Sequence, residues 1–209
     1  VSYPVGKVEE LTLYPMSFEE YLLALDQREL YTLLKEKKYE WMTDLKEKYL
    51  EQLKNYFYVG GMPEAVKCFA QRRDYNEVRT IQETLLRQYR RDFGKHAKEE
   101  MRTRIVQVWN SIPVQLAKEN KKFFFGDIKK GARMKDFELA IQWLEDYGVV
   151  YKVPRVHKPA VPLKGYEDFS AFKLYLLDVG LVSALSGMTT RMLLEEDATF
   201  VEFKGALTE

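Results

Sequence analysis

The chain has 209 residues and a mass of 24.7 kDa, with 33 Lys and Arg against 32 Asp and Glu, a formal charge of +1. Near-neutrality excludes a uniformly basic, histone-like polycation, and 46% hydrophobic with 14% aromatic residues excludes a disordered chain. One cysteine, Cys68, excludes a disulfide framework and a cysteine-cluster metal site, and two histidines, His96 and His157, leave no His-rich zinc site.

Residues 1–14 alternate weakly at Val5, Val8, Leu11 and Leu13, which suits a strand or extended arm ended by Pro15. Ser17-Phe18-Glu19-Glu20 is a capping box, so a helix should start there and carry Tyr21, Leu22 and Leu25 inward. In residues 28–58, Leu30, Leu33 and Leu34 are followed by Trp41, Leu45, Tyr49, Leu53 and Phe57, spaced by four. The second set predicts one stripe on an amphipathic helix. Gly60-Gly61-Met62-Pro63 ends it and opens the next helix. Residues 64–72 and 76–93 read as two helices separated around Asp74, and 98–120 as a longer helical region interrupted at Pro113.

After residue 120 the texture changes. Phe123–Ile128 is a short apolar run and then a helix start, and a second helix opens at Lys135-Asp136 with Phe137, Ala140, Ile141 and Leu144 on one face. Gly148 sits where a left-handed cap belongs. Val149–Val153 reads as a strand, 154–170 as a Pro-rich loop, Ala171–Leu177 as a returning strand, and Leu181–Leu185 as a helix stopped by Gly187. Strand or arm, helix, turn, helix, strand, long loop, strand is the order of a winged helix. No apolar run approaches the ~20 residues that span a bilayer. The chain starts at Val1 with no initiator Met and no leader, and is expected to be a fragment of a longer cytoplasmic protein.

The sequence has no phosphate-cradling Gly-x-x-x-x-Gly-Lys-Ser/Thr, no Gly-x-Gly-x-x-Gly and no Gly-x-Ser-x-Gly. Cys68 lies in an apolar helix and reads as a buried, inert thiol. Glu195-Glu196-Asp197 reads as a solvated turn, and Glu202 and Glu209 as exposed carboxylates on one helical face. No catalytic residue and no metal ligand is assigned. The clearest electrostatic signal is residues 87–135, where fourteen basic and five acidic residues give +9, leaving −8 on the rest. Within and beyond it, Lys129, Lys130, Arg133 and Lys135, with Lys152 on the first hairpin strand and Arg155 in the loop after it, are the candidate contacts to double-stranded DNA. A solvated face or a docking surface for an acidic protein explains the same charges. Asp136, Glu138, Glu145 and Asp146 on the second helix oppose entry into a major groove.

Seven short motifs carry a resemblance. They are Val5-Gly6-Lys7-Val8 with Leu13–Leu22; Tyr58-Val59-Gly60-Gly61-Met62-Pro63-Glu64-Ala65-Val66; Gln88-Tyr89-Arg90-Arg91-Asp92; Ser111-Ile112-Pro113; Trp143–Val150; Lys173-Leu174-Tyr175-Leu176-Leu177-Asp178-Val179-Gly180-Leu181; and Phe203–Glu209. In this order they resemble a family of bacterial and archaeal AAA-type ATPases in which a P-loop domain is followed by a C-terminal domain of unknown function. The resemblance implies a Walker core upstream of Val1, with ATP and Mg belonging to the parent protein, and a PD-(D/E)XK nuclease-like region downstream of Glu209. It implies a mainly α chain: an exit arm at 1–16, a helical lid-like region at 17–97, a winged-helix module at 98–187, and the start of a further domain at 188–209. The expected function is a non-catalytic interaction module that couples nucleotide state to a partner, either DNA or protein. The alternatives are a winged helix used only for protein docking or oligomer contacts, and a parent ATPase acting on nucleic acid. Arg28, Arg72, Arg73 and Arg79 all stand as candidates for a nucleotide-sensing arginine.

Overall fold

The computed structural model describes residues 6, 9, 11–118, 122–195 and 204–208. The chain is mainly α-helical with one two-stranded antiparallel sheet. Val5, Val8, Glu196, Asp197, Glu202 and Glu209 lie outside the described residues. Residues 11–16 enter without strand pairing, and Leu11, Leu13 and Tyr14 are exposed.

Helix α1 (Phe18–Ala24) starts at the capping box: the Ser17 hydroxyl accepts the Glu20 N–H at 3.3 Å and the Glu20 carboxylate accepts the Ser17 N–H at 2.7 Å. Helix α2 (Arg28–Lys35) follows, and α3 (Tyr39–Asp44) and α4 (Lys46–Val59) replace the single amphipathic helix expected to carry Trp41 to Phe57. The chain turns between α2 and α3, where Lys37 has φ of +54°, and again at Leu45. The spacing by four therefore spans a bend. Trp41 is 65% exposed, while Phe57 at the other end is buried.

Helix α5 (Pro63–Arg72) opens with proline at its first position, and α6 (Tyr75–His96) is capped by Asp74, whose carboxylate accepts the Asn76 N–H at 2.7 Å. Helix α7 (Glu99–Ala117) runs through Pro113 without interruption. A proline ring removes one backbone donor, and the surrounding burial of Trp109, Ile112 and Pro113 holds the helix together across it. The helix start expected after Phe123 is a single 3₁₀ turn, Phe125–Asp127. Helix α8 (Met134–Asp146) follows, ended by Gly148 at φ +78°.

Strand β1 (Val150–Val156) extends through Pro154, and β2 (Glu167–Leu176) begins inside the expected loop. They pair antiparallel, Val150 opposite Leu176, with an irregularity between Pro154 and Arg155 that leaves Phe169 to Ala171 out of the ladder. The Phe123 N–H donates to the Phe172 carbonyl at 2.7 Å, so residue 123 lies along the other edge of β2. Helix α9 (Val179–Leu185) starts two residues before the expected Leu181, and α10 (Thr190–Glu195) follows. One contiguous core runs from Tyr21 and Tyr58 through Phe69, Phe93 and Trp109 to Leu144, Leu174 and Leu181. Phe93 meets Trp109 and Trp143 edge-on, at 5.3 and 5.4 Å between ring centroids, and so joins α6, α7 and α8. No described helix is long and apolar enough to cross a membrane.

Candidate nucleic-acid interface

The six sequence-predicted contacts separate into two groups. Lys129 and Lys130 stand in the turn after the 3₁₀ segment, Arg133 at the N-cap of α8, and Lys135 in its first turn. All four are exposed, and none forms an ion pair among the described residues. The turn is held by backbone: the Ala132 N–H donates to the Lys129 carbonyl at 3.0 Å, and Gly131 sits at φ +79°. Asp136 uses its carboxylate internally, accepting the Arg133 N–H at 2.8 Å. The positive end of α8 thus adds its partial charge to four cations.

Lys152 and Arg155 do not join them. The Lys152 ammonium lies 4.8 Å from the centroid of the Phe172 ring, over its face. Arg155 is ion-paired with Asp168, whose carboxylate also accepts the Ser170 hydroxyl at 2.6 Å and the Ser170 N–H at 2.9 Å. These bonds, from Ser170 first and then Arg155, hold the Asp168 carboxyl down at about 2. The exposed side of α8 carries Glu138, Leu139 and Gln142, and Leu139 is 68% exposed. Glu145 is pushed up, chiefly by burial.

Arg104, on α7, is brought to the basic turn although the sequence reading counted it only within the basic stretch. It lines an open pocket of about 390 Å³ together with Gln107, Lys129, Lys130, Gly131 and Asp136. Elsewhere in residues 87–135, Arg90 donates to the Asn110 side chain, Lys95 pairs with Asp92 and Lys118 with Asp127, while Arg91, Lys98 and Arg102 are exposed with no ion pair among the described residues.

The four candidate nucleotide-sensing arginines also differ. Arg28 pairs with Asp26 at 3.0 Å and Arg72 with Glu77 at 2.6 Å. Arg73 packs its guanidinium over Phe69 at 5.2 Å. Arg79 is half-buried and bound inward: it donates to the Met188 carbonyl at 2.9 Å and to the Ser183 hydroxyl at 3.2 Å, and lies 4.3 Å from the centroid of the Tyr58 ring. Arg79 therefore ties α6 to α4 and α9. Cys68 is half-buried rather than fully buried, and its thiol is pushed up by desolvation and by Glu77, which disfavours the reactive thiolate. His157 lies 3.8 Å from the Asp168 carboxylate. Among the described residues no cluster of three or more His, Cys, Asp or Glu side chains could hold a metal ion.

A polar junction in the core was not legible from spacing along the chain. Asp178 is buried, and its carboxylate accepts backbone N–H groups from Gly61 at 2.6 Å, Leu181 at 2.9 Å, and Gly180. Burial pushes its carboxyl up to about 6, against the lowering effect of those three bonds. Gln82, fully buried, donates to the Tyr58 and Val59 carbonyls at 2.8 and 3.0 Å. The signal was present as the pair of motifs around Gly60-Gly61 and Asp178-Val179-Gly180, but spacing along a chain does not tell which motifs meet.

Fold and surface define a mainly helical domain with one small sheet and one exposed basic turn at a helix start. A family model described as a domain of unknown function (DUF8612) matches residues 50–192, from α4 into α10, and the chain belongs to that family. No curated protein matches the chain. No solved structure matches it either.

Proposed function

We propose that this chain is a non-catalytic interaction module, the helical and winged-helix portion of an ATP-dependent AAA-type protein, and that it contacts the phosphate backbone of duplex DNA through the turn at the start of α8. The observation that carries the DNA reading is the set Lys129, Lys130, Arg133 and Lys135: four exposed cations with no ion-pair partner among the described residues, gathered at the positive end of one helix. Cations already bound to carboxylates would have to give those partners up, and these four do not.

The winged-helix reading is supported by the order α7, an edge segment at Phe123, a 3₁₀ turn, α8, β1 and β2, with Phe123 bonded to Phe172 and the Leu177 N–H donating to the Val149 carbonyl at 3.1 Å. The AAA-type reading is supported by the seven ordered motifs, and the ATP and Mg it implies belong to the parent protein. A second reading, protein docking, is favoured by one observation: the outward side of α8 shows Glu138 and Leu139, which suit a protein surface better than a major groove.

Fluorescence anisotropy of a labelled random duplex, titrated from low to physiological salt, tests the proposal. The expected result is an affinity that falls steeply on a log–log salt plot and is lost when Lys129, Lys130, Arg133 and Lys135 are replaced by Glu. No binding at low salt overturns the DNA reading and leaves protein docking.

A further inference from the structure

Arg104 reaches the basic turn from a different element, and its present partner is weak. Its Nη2 lies 2.6 Å from Glu100 Oε1, one turn earlier on α7, and the Glu100 side chain is 82% exposed. An exposed pair of this kind contributes little and is screened by solvent. Lining the same pocket are Lys129 and Lys130, which have no ion pair among the described residues, and Gln107, about one turn further along α7. Asp136 also lines the pocket, with its carboxylate engaged on the Arg133 N–H. The pocket therefore concentrates three cations around a space of about 390 Å³ whose one lining carboxylate, Asp136, is already engaged, while Glu100 holds Arg104 from outside the lining.

A phosphate fits this chemistry better than Glu100 does. It presents two oxygens to the planar guanidinium fork, while the two ammonium groups act as point charges on the remaining oxygens. Resting on the reading of the turn as a DNA contact, we infer that this pocket seats one backbone phosphate, gripped by Arg104 from α7 and by Lys129 and Lys130 from the turn. Glu100 is the carboxylate that the phosphate displaces. The site thereby spans two segments, so α7 and the turn before α8 are clamped together by the bound strand. Glu100 sets a threshold, because every phosphate that enters must first take Arg104 from it.

The experiment uses the same labelled duplex with Arg104→Ala, Glu100→Gln and the double variant, with the thermal midpoint as a fold control. Arg104→Ala should weaken binding several-fold and lower the log–log salt slope by about 0.9. Glu100→Gln should tighten binding several-fold at low salt, and that gain should vanish in the Arg104→Ala background. If Arg104→Ala and Glu100→Gln both bind as the unaltered chain does, while Lys130→Glu abolishes binding, the pocket inference falls and the DNA reading stands. If the unaltered chain does not bind, both fall. Inorganic pyrophosphate serves as a competitor. Displacement of the duplex at equal concentration of phosphate groups would make the pocket a free-anion site and overturn the backbone assignment.

Discussion

The Asp178 carboxylate accepts the Gly61 N–H at 2.6 Å, joining residues 117 apart in sequence. Gly61 is in turn bound to the entering chain: its carbonyl accepts the Met16 N–H at 2.7 Å, and the Met16 carbonyl accepts the Tyr56 hydroxyl at 2.7 Å. One buried carboxylate thus fixes three segments: the chain before α1, the α4–α5 junction and the start of α9. It is also the group whose titration should be visible in stability. Its carboxyl is raised to about 6 in the folded chain, against about 3.9 unfolded. Between those values the native state holds more protons than the unfolded state, so stability falls as pH rises from about 4 to 6 and levels above. Asp168, held near 2, acts in the opposite sense and only below about pH 4. Urea midpoints across pH 4–8 should show the decline. Asp178→Asn should reduce the decline, leaving the part of the same sign that the raised Glu145 carboxyl contributes, and cost about 1–3 kcal/mol, because an amide turns a donor toward backbone N–H groups. Parallel pH profiles for the two proteins would refute the assignment.

The same junction admits no side chain at its glycines. A Cβ on Gly180 would lie 2.5 Å from the Val59 carbonyl oxygen and 2.7 Å from Gln82 Nε2, and one on Gly60 would meet the Asp178 carboxylate. Gly148, at φ +78°, has nothing within 4 Å of a Cβ. Gly180→Ala should cost about 1–3 kcal/mol through overpacking against backbone. Gly148→Ala should cost about 1 kcal/mol through its dihedral alone. Equal midpoints for the two variants would show that the close approach at Gly180 is not tight.

How much of this was legible in the sequence depends on the range of the interaction. The capping box at Ser17, the Pro63 helix start and the left-handed position of Gly148 are local chemistry, and each is found where the residues place it, while the helix after Asp178 is found two residues early. The single stripe from Trp41 to Phe57 failed because apolar spacing does not register a bend: Leu45, between α3 and α4, splits it. The Pro113 interruption failed because buried neighbours outweigh a missing N–H. For the basic surface, charge counting marked the residues of the turn. It could not find that Arg155 is consumed by Asp168, that Lys152 turns onto Phe172, or that Arg104 arrives from α7. Those are tertiary facts.

Two tryptophans measure the cost of that misreading. Trp41, a member of the expected stripe, is 65% exposed, whereas Trp109 is fully buried against Tyr89 and Phe93. Trp41→Ala should therefore change stability by no more than about 0.5 kcal/mol. Trp109→Ala should cost about 3–5 kcal/mol, enough to threaten folding of a domain this size. Chemical denaturation of both variants decides it. A large loss at Trp41 would restore the stripe as a packed face.

Arg155 and Lys130 separate a charge that is present from a charge that is available. Both are exposed cations, and a count of charges treats them alike. The Arg155 guanidinium is committed to Asp168, itself fixed by two bonds from Ser170, so a phosphate must compete with a partner already in place. Lys130 has no such partner among the described residues, and its approach to a phosphate releases counterions without breaking a protein contact. Arg155→Ala should leave duplex affinity within about twofold and the salt slope unchanged, whereas Lys130→Ala should lower the slope by about 0.9. Arg155→Ala also frees the Asp168 carboxylate, which adds local repulsion, so even a small loss of affinity should come without a change in slope. A slope reduced equally by both variants would mean that Arg155 leaves Asp168 on binding, and that the hairpin as well as the turn lies against the DNA.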